Sequence, residues 1–366
     1  MVRGIGTKAL GCASGVVLCG ILVAGLWPFH GPRNDVNWLG QSGVTFGPHG
    51  SVVSSGEFAL PSRPGSSCSI EIRLYPSAGD GSGTIFAFYN PDNFKVSLAL
   101  RQSLDDLLVE TSRGAGSSHV YVQRVFHSQT PQLITITSGT QGTVAYINGA
   151  QFENFPNYRI PAEDLSGKLL MGNTPARTHE WSGEILALAF YNRDLTHAEI
   201  VKNYDNWTKN DLSAISKNPS AVSVYPFNER GGSVVHNHVA GATDLLIPER
   251  FFVVNEQFLA WPWNEFYSGW GYWKDVAINV GGFIPLGACV YAFLRSARMT
   301  SRPMLVTIIL GFVVSLTIEV LQAFLPTRDS GTTDIITNTL GTALGALFLL
   351  DFHALSALIG NNKRLL

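Results

Sequence analysis

An apolar run without a single charge occupies residues 9–27. It constrains this chain more than any other feature. About 20 such residues in helical form cross the hydrocarbon core of a bilayer. Three further runs lie near the other end. Residues 276–294 follow Asp275, and residues 303–325 follow the basic loop of Arg295, Arg298 and Arg302. Residues 335–350 reach span length when started from Thr332 or continued toward Ile359. Arg3 and Lys8 precede the first run, as they would in a signal peptide, but no small-x-small cleavage site follows it. Cys12 and Cys19 lack the preceding residues of a lipoprotein site, so the reading is an uncleaved anchor.

Topology then follows from the placement of basic residues, which stay in the cytoplasm. Arg3 and Lys8 hold the N-terminus inside, Arg295, Arg298 and Arg302 hold the loop between the second and third spans inside, and Lys363 and Arg364 do the same for the C-terminus. Four crossings satisfy all three clusters. The expectation is a multi-pass protein of a bacterial-type cytoplasmic membrane, with both termini cytoplasmic and the long segment before Trp273 outside. Trp261, Trp263, Trp270, Tyr272 and Trp273 form an interfacial aromatic belt leading into the second span.

Composition narrows the function classes. Of 366 residues only 14% are charged and 45% are hydrophobic, which excludes a disordered chain. With 25 basic and 27 acidic residues the net charge is −2, which removes the electrostatic case for nucleic-acid binding. Four cysteines, Cys12, Cys19, Cys68 and Cys289, do not make a disulfide scaffold.

Between residues 44 and 189 the pattern changes to period two, punctuated by Gly, Pro, Ser and Asn. Residues 69–75, 133–137 and 143–147 alternate apolar and polar, the last ending on the turn pair Asn148-Gly149. Several short strands at this spacing predict an all-β sandwich. The run from Trp181 through Gly183, Ile185, Tyr191, Asn192, Arg193 and Leu195 reads as a strand entering a helix, with Thr196 and Glu199 spaced as a capping box. This resembles the closing strand and helix of laminin-G-like, concanavalin-A-like jelly rolls. The segment from Tyr225-Pro226-Phe227-Asn228-Glu229 is similar to the one that usually opens such domains, yet here it follows the closing helix. Either the domain is circularly permuted, with a strand at 222–227 completing the sheet, or the segment is a truncated second copy or a linker. The resemblance implies binding of glycans, proteins or calcium. No Asp/Asn cluster has calcium-loop spacing, so no cofactor is expected, calcium on the sandwich staying open as a weakly signalled alternative, and no ligand-binding residue is singled out here.

The last three spans carry polar residues on single helix faces. Asp275 and Asn279 are four apart; Ser315, Glu319 and Gln322 follow the i, i+4, i+7 rule; Asp334 and Asn338 are four apart again. Arg328 lies in the loop between the last two spans. The predicted topology puts all of these at the outer ends of their helices, with Glu319 about 10 Å below the end at a rise of ~1.5 Å per residue. An ionisable group at that depth persists only if paired or hydrated. Arg328 is the expected cation for Glu319 or Asp334, through a two-bond fork. These eight residues either tie the helices together or line an outward polar pocket. Thr337, Gly341 and Gly345 form a small-xxx-small row on the last helix, and Pro285 predicts a kink in the second span.

Taken in order, the blocks Asp275-x3-Asn279-x3-Phe283-Ile284-Pro285, Gly311-x3-Ser315-x3-Glu319-x2-Gln322-x3-Pro326-x-Arg328 and Asp334-x3-Asn338-x2-Gly341-x3-Gly345 resemble the VanZ-like membrane family. The chain departs from that pattern at Asp329-Ser330-Gly331, where a hydrophobic residue is usual, and by the inserted sandwich. The resemblance implies a place at the outer face of the membrane and a link to teicoplanin-type glycopeptide resistance or envelope polysaccharide handling, without implying a reaction.

The expected architecture is therefore mixed: residues 1–29 as tip and first membrane helix, 30–255 as an extracytoplasmic sandwich, and 256–366 as a three-helix membrane domain. The expected partners are the lipid bilayer and a glycan or envelope component. Three functions compete. The favoured one is a non-enzymatic module, its sandwich bound to a surface glycan or envelope protein. The second is a membrane enzyme acting on a lipid-linked glycan, using Glu319, Asp275 and Asp334 as acid/base groups or cation ligands. Against it stands the lack of any Ser-His-Asp order, H-E-x-x-H or P-loop motif. The third is a transporter, which would need more spans or an oligomer.

Overall fold

The computed structural model describes residues 2–59, 66–76, 81–113, 116–128, 130–176, 179–256, 258–266 and 268–362. Lys363 and Arg364, which supported a cytoplasmic C-terminus, lie outside the described residues. Two compact units emerge. One is Pro32–Asn255; the other joins the residues up to Gly31 with those from Glu256 onward.

The first helix, α1, is Val2–Leu26. Then come β1 (Val36–Trp38), β2 (Val44–Phe46), β3 (Val52–Ser54), β4 (Cys68–Tyr75), β5 (Ser82–Tyr89), β6 (Val96–Ser103), β7 (Asp106–Arg113) and β8 (Gly116–Val122). They are followed by β9 (Gln132–Gly139), β10 (Gly142–Ile147), β11 (Ala150–Phe155), β12 (Lys168–Met171) and β13 (Glu184–Tyr191). Helices α2 (His197–Lys209) and α3 (Leu212–Ser216) precede β14 (Ala221–Tyr225), β15 (Val234–Val235) and β16 (Leu245–Leu246). The membrane unit continues with α4 (Pro262–Glu265), α5 (Trp270–Ala297), α6 (Pro303–Gln322) and α7 (Thr332–Asn362).

Two antiparallel sheets form the sandwich. One has the order β1-β2-β13-β4-β9-β10-β11, with β14 also paired to β13; the other runs β15-β16-β3-β12-β5-β6-β7-β8. Alternation builds the core between them: Ile70, Ile72 and Leu74 of β4 and Ile185, Leu188 and Phe190 of β13 are fully buried. Phe190 meets Phe86 and Phe88 at ring-centroid separations of 5.7 and 5.2 Å, both edge-on, the arrangement aromatic quadrupoles favour. The segment after the closing helix is neither a loose linker nor a separate body. Its strand β14 pairs Tyr225 with Leu188 and Val224 with Ala189, and the short β15 and β16 then extend the second sheet.

Helix α2 starts as the sequence predicts, with the Thr196/Glu199 capping box formed. Arg193 reinforces it with a fork onto the Glu199 carboxylate at 3.0 and 2.5 Å. A buried carboxylate pins the helix to the sheet. Glu71 of β4 is wholly inaccessible. It accepts hydrogen bonds from the Tyr191 hydroxyl (2.7 Å), Asn203 Nδ2 (3.0 Å) and Trp207 Nε1 (2.9 Å).

Among the described residues of the other unit, four helices are long and apolar enough to cross a membrane: Gly6–Leu26, Trp270–Ala297, Pro303–Gln322 and Thr332–Leu350. Two boundaries differ from the sequence reading. Trp270, Tyr272 and Trp273 already belong to the first turn of α5, which begins after the extended backbone of Gly269. Helix α6 ends at Gln322, ahead of Pro326, whose approach disfavours helical backbone. Helix α5 runs through Pro285 without interruption. Gly341 and Gly345 of α7 sit where an added Cβ would overlap the carbonyls of Val280 and Ile284, so these glycines let α5 and α7 approach backbone to backbone.

Candidate functional site at one end of the helical unit

The end of this unit formed by the start of α5, the end of α6 and the start of α7 gathers the polar residues that the sequence places on single helix faces. Asn279 Nδ2 of α5 donates to Asp334 Oδ1 of α7 at 2.7 Å. One turn deeper, Asn338 Nδ2 donates to Ser315 Oγ of α6 at 3.0 Å, and that hydroxyl turns to the Asp334 carbonyl at 3.4 Å. Three helices are thus joined through one chain of hydrogen bonds. Ser315, Glu319, Gln322 and Asn338 are buried, Asn279 and Asp334 half-buried, and Asp275 exposed.

Glu319 is 1% exposed and finds its partner in the loop before α7, where the Gly331 N–H donates to Oε2 at 2.8 Å. Ser330 Oγ caps the Glu319 carbonyl at 2.8 Å. The departure at Asp329-Ser330-Gly331 is therefore where this chain holds its buried carboxylate. A Cβ on Gly331 would meet the Glu265 carboxylate, so a larger residue there would require that side chain to move.

Glu265 is the residue that sequence reasoning missed. It lies in the aromatic segment ahead of α5, and its Oε2 accepts from the Thr333 N–H at 3.0 Å and from the Thr333 hydroxyl. Ala260 O accepts from Thr332 N (2.9 Å) and Thr332 Oγ1 (2.7 Å), and Ala260 N donates to Ser330 O at 3.0 Å. The segment 258–266 is in this way stitched across the start of α7. Glu265 accepts from the Thr333 N–H, one of those that a helix start leaves open, and Glu319 from the Gly331 N–H just ahead of it. Only Glu265 itself, an acid four residues after Trp261, hinted at this, and nothing in its spacing marks it as a cap for a distant helix.

Arg328 corrects an expectation. It does not pair with Glu319 or Asp334; its Nη2 donates to the carbonyls of Trp27 (2.6 Å) and Ala24 (3.5 Å) at the end of α1. The last carbonyls of a helix lack intrahelical donors, and a guanidinium fork satisfies them. Gln322 does likewise, its Nε2 donating to Gly25 O at 2.9 Å. Both residues therefore fasten α1 to the bundle. The acidic groups remain close to one another: Asp334 and Glu265 lie within electrostatic reach of Glu319, and Glu265, Asp275 and Asp329 within reach of Asp334.

In the sandwich, one outward face of the second sheet groups Arg101, Glu110, His119 and Tyr121. Glu110 pairs with His119 across β7 and β8. Arg101 is 3.6 Å from the Glu110 carboxylate, and His119 and Tyr121 meet edge-on at 5.5 Å. Tyr121 is 41% exposed.

These two regions coincide with two family matches. Residues 220–354 match the VanZ/LLP1 family model, and residues 49–201 match the Concanavalin A-like lectin/glucanases superfamily. The chain joins a VanZ-family region to a concanavalin-A-like jelly roll. The VanZ-family region thus begins at β14, inside the sandwich, and ends within α7. No curated protein matches the sequence. Among solved structures, a putative carbohydrate binding protein from Bacteroides ovatus is similar at 13% identity and TM-score 0.39, over 59% of this chain and 58% of that one. The binding domain of Botulinum neurotoxin DC is 11% identical, TM-score 0.35, over 48% and 46%. A SAP-like pentraxin from Limulus polyphemus is 14% identical, TM-score 0.29, over 41% and 80%. The chain spans about half the length of the first two, 58% and 46%.

Proposed function

We propose that this protein works at the outer face of a bacterial cytoplasmic membrane as a non-enzymatic module. Its jelly roll binds a surface glycan or envelope component, and its VanZ-family helices present an outward polar site. The observation that carries the reading is the hydrogen-bonded chain through Asn279, Asp334, Ser315 and Asn338, with Glu319 held beside it. An interhelical polar contact inside a membrane is worth about 0.6 kcal/mol on average. A buried carboxylate costs more than such a contact returns. Placing several carboxylates at one end is therefore reason to assign them a ligand rather than a purely structural role. The positive-inside argument turns that end away from the cytoplasm, where a link to glycopeptide resistance or envelope polysaccharide would operate. For the jelly roll, the exposed face of Arg101, Glu110, His119 and Tyr121 is the surface we assign to its ligand.

The test is complementation with Glu319→Gln at matched membrane expression, scoring teicoplanin sensitivity and envelope-polysaccharide content. Glutamine keeps the acceptor for Gly331 and removes the titratable carboxyl. Loss of activity in a correctly inserted variant supports the polar site. Full activity reduces the stripe to helix glue and leaves the jelly roll as the working part.

A further inference from the structure

We propose that the outer edge of β8 pairs with the same edge of a second copy of this chain, about a two-fold axis through His119. The pairing does not depend on the ligand reading above.

A sheet edge exposes a row of N–H and C=O groups, and proteins protect such rows with short strands, bulges and charges. Most edges of this sandwich carry that protection. Strand β15 is only Val234–Val235 and β1 only Val36–Trp38. Strand β11 is longer, but its register against β10 breaks between Ala145 and Tyr146, and it carries Glu153, whose carboxylate accepts from Gln123 N at 3.1 Å. Strand β8 has none of these devices. It ends the second sheet, pairs with β7 from Gly116 to Val122 without a register shift, and contains no proline, Lys, Arg, Asp or Glu. Gly116, Ser117, Ser118, His119 and Tyr121 are exposed.

The bonding direction along β8 follows from one contact. The Thr111 hydroxyl donates to Ser118 O at 3.5 Å, and Thr111 stands opposite Ser118, so that carbonyl faces β7. In an antiparallel ladder both polar groups of a residue face the same neighbour, and successive residues alternate. Ser117, His119 and Tyr121 therefore turn N–H and C=O outward, where no backbone partner meets them among the described residues. His119 is the central residue of the strand. Laid antiparallel about it, Ser117 meets Tyr121 of the second copy, His119 meets His119, and Tyr121 meets Ser117. Every outward group then has a partner, and no Lys, Arg, Asp or Glu of the strand faces its like, which would disfavour the register.

A foreign strand would match only the backbone, since this edge offers no charged side chain to select it. A second copy matches in full register. Membrane-spanning helices also hold both copies in one bilayer, which raises their effective concentration. Directly opposed side chains share a sheet face. The surfaces of Arg101, Glu110, His119 and Tyr121 from the two copies thereby join into one.

The experiment is cross-linking of the full chain in native membranes with copper phenanthroline, Cys12, Cys19 and Cys289 being replaced by alanine and the buried Cys68 kept. His119→Cys puts two thiols on the axis, with Cα atoms about 5.5 Å apart, within disulfide range. Ser117→Cys alone, or Tyr121→Cys alone, leaves its two copies about 14 Å apart along the strands. Co-expression of these two variants under different tags brings unlike thiols opposite each other. The expected result is a disulfide dimer from His119→Cys and from the mixed pair, with about tenfold less from either variant alone. His119→Lys, added to both chains of the mixed pair, sets like charges on the axis and should lower the yield several-fold. No dimer at any position overturns the proposal. So does equal yield from Ser117→Cys alone and the mixed pair, a yield indifferent to His119→Lys, or a cross-link formed only with a different protein. No ligand is added, so a failure here leaves the glycan reading untouched, and a failure of glycan binding leaves the pairing standing.

Discussion

Glu71 shows what one residue can decide. Its carboxylate sits in the sandwich with no cation, and burial pushes its pKa up while donors from Trp207, Tyr191 and Asn203 oppose the shift. Glu71→Ala orphans the Tyr191 and Trp207 donors at about 1–3 kcal/mol each, while Asn203 Nδ2 keeps its bond to the Tyr191 hydroxyl, so a loss of at least ~2 kcal/mol is expected in denaturant titrations. Glu71→Gln keeps an acceptor for Tyr191 and Trp207 and needs only a turned Asn203 amide, so its cost should stay below ~1.5 kcal/mol. The pH dependence has a definite sign. A raised native pKa means that the folded form binds the proton more tightly, so stability from this site is greatest below the ordinary carboxylate range. It declines as pH rises through the native value. Glu199 behaves oppositely. Its pKa is held down to about 2, chiefly by the hydrogen bond from Arg193, so its contribution is present above the ordinary range and lost as pH falls toward about 2. Unfolding midpoints across pH should lose the first slope in Glu71→Gln and the second in Glu199→Gln. Unchanged slopes in either variant contradict the assignment.

At the scale of elements, the glycines of α7 separate close packing from mere flexibility. Gly345→Leu drives a side chain into the Ile284 carbonyl of α5, whereas a Cβ on Gly282 of α5 meets nothing within 4 Å. Overpacking of this kind costs about 1–3 kcal/mol. Gly345→Leu should therefore lower the thermal midpoint of the full chain by several degrees, and Gly282→Ala should leave it unchanged or raise it. Equal effects would mean that α5 and α7 are not in backbone contact. Much at this scale was legible in the sequence. The small-xxx-small row, the Thr196/Glu199 box and the period-two strands are local patterns with one physical meaning each. What was not legible depends on long-range closure. Arg328 looks like a counter-ion because Glu319 and Asp334 are near it in sequence, but α1, some 300 residues earlier, offers carbonyls at its own end. Glu265 could not be placed because its partner Thr333 is 68 residues away. The polar faces of α5, α6 and α7 were readable as stripes, while their order of connection, Asn279 to Asp334 and Asn338 to Ser315, needed the helices side by side.

For the whole molecule the decisive question is which side of the membrane holds the sandwich, and cysteine chemistry answers it with little background. Cys68 is buried, and its thiol is pushed up to about 12, first by burial and then by nearby acids, so it stays protonated and unreactive at neutral pH. Cys12, Cys19 and Cys289 lie within membrane helices, where a charged maleimide does not reach. Ser118 is exposed on β8, and Met299 is 65% exposed in the basic loop between α5 and α6. If basic residues fix the orientation, Ser118→Cys should react with an impermeant maleimide in intact spheroplasts, and Met299→Cys only after the membrane is opened. That pattern places the acidic end of the helices on the same side as the jelly roll, since α5 and α7 start, and α6 ends, on the side opposite Met299. The reverse pattern would turn the sandwich and the carboxylates of Glu265, Asp275, Glu319 and Asp334 toward the cytoplasm. A ligand from the cell surface would then be out of reach of both halves, and the role proposed for this chain could not operate.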